Sequence, residues 1–342
     1  MSFENLKGQD SAVSHLKASL RNGRVSHAYI FSGPDGVGKR LAAVNFAKAL
    51  NCSGSLSGPP CDPSAGSGPH PELTEGCDEC ASCKKIDSSK HPDVFILKPK
   101  EEGASIKMDD VRAIIKDVYL KPLEARKKVY IIEGAEYMKH EAANALLKTL
   151  EEPPADSVII LLTENTKSLF HTIVSRCQVV KFFPLKLKEV EEILTRDYSL
   201  SQTDAHTLSH LSGGRLGEAL KFKEKDIFTK RSLLINKIVS GSRADFDFDD
   251  LPKEDVRLYL DMILSWYSDI LNMKAGARDY MLVNIDKKDI ISNEAARLGS
   301  DYIEDMINSV ISAITHIDRN ANQKLAMSVL GMKIKEVSAC TK

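Results

Sequence analysis

Gly33-Pro34-Asp35-Gly36-Val37-Gly38-Lys39-Arg40 spaces its glycines and lysine as a phosphate-binding loop does. In such a loop, backbone N–H groups and the N-terminus of the following helix suit phosphate oxygens, and the lysine adds a point charge. The residue after the lysine normally supplies a Ser or Thr hydroxyl to magnesium. Arg40 supplies no oxygen and sets a cation near the metal position instead. Phosphate binding, and with it ATP occupancy of Gly33, Gly36, Gly38, Lys39 and Arg40, stays open. Ordinary Mg-ATP turnover should not survive. The plainer reading is a tight strand-to-helix turn.

A second damaged pattern lies at Val129-Tyr130-Ile131-Ile132, an apolar strand of the kind that ends in two acids. The first acid would hold magnesium and the second would orient the attacking water. Here the strand ends in Glu133-Gly134. Glu133 could replace the first acid, with its carboxylate displaced by one methylene, or simply be a solvated strand end. Gly134 cannot replace the second, and Glu136 would point elsewhere.

A third constellation is intact. Cys77-x2-Cys80-x2-Cys83 places three thiols within seven residues, with Cys52 and Cys61 upstream. Four thiolates make a closed tetrahedral structural zinc site, able to pin a loop that has no core of its own. Cys52 is favoured as the fourth ligand because it ends the predicted helix at Ala49-Leu50-Asn51, whereas Cys61 sits in a Gly/Ser/Pro stretch. Cys61 remains the alternative. Redox use is weaker, since nothing nearby supplies an activating charge pattern.

The elements that must position these residues follow from periodicity. Helices are predicted over 6–20, 39–50, 109–120 and 139–152, and strands over 27–32, 94–97, 129–132 and 157–163. Strands alternating with helices predict a parallel sheet covered on both faces. Three short helices follow at 187–196, 202–211 and 216–223, and only helical periodicity remains beyond about 226. Trp266 lies on an apolar stripe, as core or as a contact of that last region.

Charge excludes some classes. Lys plus Arg (47) nearly cancel Asp plus Glu (48), so there is no global basic field for nucleic acid. The first residues lack a signal-peptide core, and the longest apolar run, 158–162, is too short for a bilayer. A cytoplasmic protein is expected, and seven cysteines in that reducing compartment favour metal or buried thiols over disulfides.

Taken together, the glycine loop, the cysteine cluster, the run Ala142-Ala143-Asn144-Ala145-Leu146-Leu147-Lys148-Thr149-Leu150-Glu151-Glu152-Pro153-Pro154 and the triplet Ser175-Arg176-Cys177 resemble bacterial DNA polymerase III clamp-loader subunits. The resemblance implies an α/β AAA+ P-loop domain over 1–180 carrying a zinc module at about 52–83. A helical lid over 181–226 and an all-α collar over 227–342 would follow. It implies partners as well: gamma/tau ATPase subunits, a delta subunit and, through the complex, the sliding clamp and primed DNA. Within this family the departures at Arg40, Glu133 and Gly134 fit the non-hydrolysing delta-prime type. So does Gly217, where ATPase members carry a sensing arginine, Arg215 lying two positions off. Arg176 would then act as an arginine finger in trans on a neighbouring ATPase subunit, rather than as a surface arginine capping a strand–helix junction. Cys177 reads as a packing thiol. Two rival readings are an ATP-hydrolysing gamma/tau-type subunit and a zinc-ribbon nucleic-acid-binding protein. One spacing departs from the family pattern: 24 residues separate Cys52 from Cys77, against a usual eight, and Cys61 falls at that usual distance from Cys52.

Overall fold

The computed structural model describes residues 3–53, 74–99, 104–240, 255–318 and 321–340. It divides into two compact units, Met1–Leu185 and Lys186–Lys342. In the first unit α1 (Asp10–Arg21), β1 (Ala28–Ser32), α2 (Lys39–Asn51), α3 (Ala81–Asp87) and β2 (Val94–Leu97) come in order. They are followed by α4 (Met108–Val118), β3 (Lys128–Ile132), α5 (His140–Glu151), β4 (Ser157–Thr163), α6 (His171–Val174) and β5 (Gln178–Lys181).

The five strands form one parallel sheet in the order β2-β3-β4-β1-β5. Side chains alternate across a strand, so each strand feeds two cores. Tyr29, Phe31, Val129, Ile131, Val158 and Ile160 pack with Leu16, Phe46 and Leu50 on one face. Ile30, Tyr130, Ile132, Ile159 and Leu161 pack with Val111, Leu146 and Leu150 on the other. Continuous apolar runs such as Val158–Leu162 are what a doubly covered strand demands. Parallel strands bring all their carboxyl ends to one edge, where ligands of open α/β sheets bind.

Two differences from the predicted elements have local causes. The first helix starts at Asp10 rather than near Leu6, because Gly8 turns the chain with φ of 63°. Strand β5 carries little sequence signal: it is a sheet edge on which Val180 alone is fully buried, so the period-2 pattern is thin.

The second unit is helical throughout its described residues. It contains α7 (Leu187–Tyr198), α8 (Gln202–Leu211), α9 (Leu216–Glu224), α10 (Ile227–Ser240), α11 (Val256–Lys274), α12 (Lys288–Arg297), α13 (Ser300–Asp318) and α14 (Gln323–Cys340). The stripe Val256, Leu260, Ile263, Trp266 and Ile270 is buried, with Trp266 fully enclosed as core. Among the described residues no helix is long and apolar enough to cross a membrane.

Candidate functional site

The phosphate-type loop leaves β1 at the sheet's carboxyl edge and enters α2 from Gly38. That residue takes φ of 101°, which a side chain would resist, and brings no side-chain cap to the helix. Lys39 is buried, and its ammonium is spent on the loop itself. It donates to the Gly33 carbonyl, to the Pro34 carbonyl at 3.1 Å and to Asp35 Oδ1 at 2.9 Å. Its three protons therefore have internal acceptors.

Arg40 faces Glu133 from the next position. Their Nε–Oε1 separation is 3.0 Å, although Glu133 Oε1 has no aligned hydrogen-bond donor. The contact is thus an ion pair rather than a directed bond. The two residues expected at metal-holding positions are paired with each other.

Gly134, where the water-orienting acid would stand, takes φ of 62°. A Cβ there would fall 2.7 Å from the Tyr137 ring and 3.3 Å from Pro99. Glu136 turns away, its Oε1 accepting the Glu164 N–H at 3.0 Å.

Glu164 has no part in the sequence reading, yet it lies directly beyond β4, the strand paired to β1. Burial, then the charge of Asp35 and a hydrogen bond with it, push its carboxyl above the usual range. Asp35 and Glu164 thus lie close enough to share a hydrogen bond beside the loop. The signal that would have found Glu164 is positional: in a parallel sheet, the residue after a strand neighbouring the loop strand sits at the same edge.

At the far end of α2 the chain does the opposite. Cys52, Cys77, Cys80 and Cys83 converge, with one ligand atom from each inside 4.8 Å of all the others. A tetrahedral zinc with Zn–S bonds of about 2.3 Å needs S–S edges of about 3.8 Å, so the cluster fits that ion. Cys61 lies outside the described residues.

Backbone donors serve the sulfurs: Cys77 N–H to Cys52 Sγ at 3.3 Å, Cys80 N–H to Cys77 Sγ at 3.3 Å and Cys83 N–H to Cys80 Sγ at 3.4 Å. Burial works against ionisation of Cys80, but the donors around it, Cys83 and Ser53, outweigh it and hold that thiol below the ordinary range. Cys83 is pushed up, first by its hydrogen bond to Cys52 and then by burial. Cys77 is also pushed up, chiefly by burial, so binding a metal would require these thiols to give up protons.

Lys48 underlies the module with no exposed surface, paired to Asp78 at 2.7 Å and Asp87 at 2.5 Å. Asn51 fastens the helix end to the sheet. Its Oδ1 accepts the N–H groups of Arg126 and Lys127, and its Nδ2 donates to the Lys127 carbonyl.

Arg176 follows the single turn of α6 and is half-buried. Its guanidinium reaches Glu151 at 2.7 Å and donates to the Thr172 carbonyl at 3.0 Å. Glu151 belongs to the Leu150-Glu151-Glu152-Pro153-Pro154 run, so two separate sequence signatures meet here. Burial pushes the Cys177 thiol up to about 12, which suits a packing role. In the second unit, Arg215 precedes α9 and donates from Nε to the Ser212 carbonyl at 2.7 Å, while Gly217 lies within the helix.

Two family models match the chain. One, described as DNA polymerase III, delta subunit, covers residues 8–186. The other, described as DNA polymerase III, delta subunit, C terminal, covers 228–333. DNA polymerase III subunit delta' of Bacillus subtilis is 31% identical over 339 residues, 96% of each chain. Subunit delta' of Pseudomonas aeruginosa is 30% identical over 71% of this chain and 70% of its own. Subunit tau of Bacillus subtilis is 33% identical over 70% of this chain, but the match spans only 41% of tau. A solved DNA polymerase III gamma subunit-related protein of Thermotoga maritima aligns over 95% of this chain and 99% of its own, at 19% identity and a TM-score of 0.42. That likeness is too loose to carry an argument. The 31% identity to a delta' subunit runs over 96% of the chain, and the two family models fall on its sheet unit and its helical unit. The chain belongs to the bacterial DNA polymerase III clamp-loader family of delta', gamma and tau subunits, built on the AAA+ architecture.

Proposed function

We propose that this chain is the non-hydrolysing, delta-prime-type member of its clamp loader. It serves as a stator and lends Arg176 to the ATP site of a neighbouring gamma/tau-type subunit. The observation that carries the reading is the Arg40–Glu133 ion pair at the magnesium positions. Lys39 satisfied by its own loop and the constrained Gly134 support it from two other sides. Each defect removes a different requirement of phosphoryl transfer: phosphate charge, metal and positioned water.

Arg176 retains what the loop has lost. A guanidinium presents planar donors that match phosphate oxygens, and the Glu151 pair that now holds it is half exposed. Exposed ion pairs of this kind contribute about 0–1 kcal/mol, so exchanging Glu151 for a phosphoryl group costs little. In this reading residues 181–226 are the lid and 227–342 the collar that joins gamma/tau and delta subunits. Leu325, Val329 and Met332 form an exposed apolar stripe on α14 at helical spacing, which suits burial against another subunit. The Cys52, Cys77, Cys80 and Cys83 cluster holds structural zinc, the sliding clamp and primed DNA are met through the assembly, and the protein works in the cytoplasm.

The test is a reconstituted complex carrying Arg176→Ala. Folding, zinc content and assembly should be retained while clamp-stimulated ATPase falls, with the 10³–10⁵-fold effect of trans arginines as an approximate upper guide for the affected site. Arg176→Lys should rescue poorly. Normal ATPase and clamp loading by Arg176→Ala, or ATP turnover by the isolated wild-type chain, would overturn the assignment.

A further inference from the structure

The three residues Glu191, His206 and His210 take no part in any reading above. Glu191 lies on α7, and the two histidines lie one turn apart on the same face of α8. One ligand atom from each falls within 4.8 Å of the other two. All three side chains keep some solvent access, between 13% and 24%.

The hydrogen-bond pattern is unbalanced. His206 Nε2 lies 2.8 Å from the Leu282 carbonyl oxygen, which can only accept, so Nε2 carries the hydrogen. In neutral imidazole the other nitrogen is then a bare lone pair. That nitrogen, Nδ1, lies 2.9 Å from Glu191 Oε1, and an ionised carboxylate also has only lone pairs. Two acceptors at that distance require a proton or another cation between them. His210 Nδ1 lies 3.8 Å from the same oxygen, and the two rings stack with centroids 4.0 Å apart, which disfavours placing a full charge on both.

We propose that Glu191, His206 and His210 form a second cation site, taking a borderline divalent transition metal such as Zn²⁺ through two imidazole nitrogens and one carboxylate oxygen. With bonds of about 2.0–2.1 Å, a tetrahedral site has ligand–ligand edges of about 3.3 Å, and the distances 2.9 and 3.8 Å bracket that edge. The Leu282 carbonyl acts as the outer partner that fixes the His206 tautomer, as carbonyls do for metal-bound histidines. Two imidazoles select against Mg²⁺ and Ca²⁺, which favour all-oxygen sets. The His206 carbonyl, 2.9 Å from His210 Nδ1, can only accept, so that nitrogen carries its hydrogen. Ser209 Oγ lies 3.2 Å from the same nitrogen and donates to Glu191 Oε1 at 3.2 Å. To bind, His210 must lose that proton and both ligands must give up these contacts, so the site is weaker than the four-thiolate cluster and exchanges with solvent.

The site lies where α7 and α8 meet the segment before α12. Leu282 belongs to that segment, and Asp269 on α11 fixes it by accepting the N–H groups of Val283 and Asn284 at 2.9 and 2.7 Å. A bound cation therefore ties the α7–α8 pair to the α11 helix and should raise the unfolding temperature of the second unit.

The experiment titrates Co²⁺ and Zn²⁺ into the full chain already carrying its cysteine-bound zinc. One further equivalent should bind, and the Co²⁺ form should show ligand-field bands of a nitrogen–oxygen site without thiolate charge transfer. Glu191→Gln and His210→Gln should each weaken that equivalent by more than about tenfold, and leave the cysteine zinc in place. Absence of a further equivalent, or its unchanged affinity in both variants, would overturn the proposal and leave a proton alone between Glu191 and His206.

Discussion

The two ends of α2 carry sites built from similar parts with opposite outcomes. Each end buries a lysine, Lys39 or Lys48, and each lysine is paired with acids. At the N-terminal end the lysine, Arg40, Glu133 and the loop carbonyls satisfy one another, and little is left to recruit a ligand. At the C-terminal end Lys48 answers Asp78 and Asp87, while the four cysteines beside it have mainly one another and a few backbone donors. The lesson is that a site's fate depends on whether its charges close internally. On the proposed reading, a single helix closes its charges at one end and offers a metal-ready thiol cluster at the other.

The largest effect expected from breaking this contrast is at the thiol end. Cys80→Ser should release the ion, whereas Cys61→Ser should not. The stake is on the order of the 10 kcal/mol apparent binding free energy of structural zinc, expressed as loss of hydrogen-exchange protection over residues 77–87 while the sheet persists. Protein purified without chelators that holds no zinc would refute the site.

Lys48→Met should come next, lowering the stability of the zinc-loaded chain in urea by about 3 kcal/mol. That is the low end for a broken buried pair, because Asp78 and Asp87 keep part of their solvent access. A change well under 1 kcal/mol would show that burial and pairing already cancel for this lysine.

At the loop end Gly134→Glu should cost about 2 kcal/mol or more. Left-handed backbone alone costs a residue with a Cβ roughly 1–2 kcal/mol, and the Tyr137 ring must also shift. The variant should gain no ATP turnover despite its added acid. Smallest is Arg40→Thr, which removes an ion pair whose arginine is 55% and whose glutamate is 22% exposed, and should change stability by about 1 kcal/mol. It too should leave turnover at background, since no acid positions the water. Turnover in either variant would show that the loop end is one substitution from function.

Much of this was legible in the residues because the signals are local. Val94–Leu97, Ser157–Thr163 and Gln202–Leu211 have the bounds that periodicity assigned, and C-x2-C spacing drew Cys77, Cys80 and Cys83 together without any tertiary information. Other features were not legible, since they depend on pairing across the sheet or between helices. Strand β5 shows its partner one buried side chain. Glu164 matters only because β4 lies beside β1. The Arg40–Glu133 pair joins residues nearly a hundred positions apart, and the Glu151–Arg176 pair joins two motifs that the sequence presents separately. Glu191 and His206 meet only when α7 packs on α8.

The anchoring of Cys52 at the end of a helix fastened by Asn51 has a consequence for how this part of the chain can change. A metal cluster that closes a segment from both sides makes the intervening length nearly free. Closure cost grows only with the logarithm of the number of residues, about 0.6 kcal/mol per doubling. Stretching a gap from eight residues to the 24 that separate Cys52 from Cys77 would therefore cost about 1 kcal/mol, small beside the roughly 10 kcal/mol that a structural zinc would contribute if the cluster holds one. The cluster makes the segment after Cys52 a permissive place for insertion: it can acquire new sequence, or receive a tag, without the sheet or the loop at the other end of α2 registering the change.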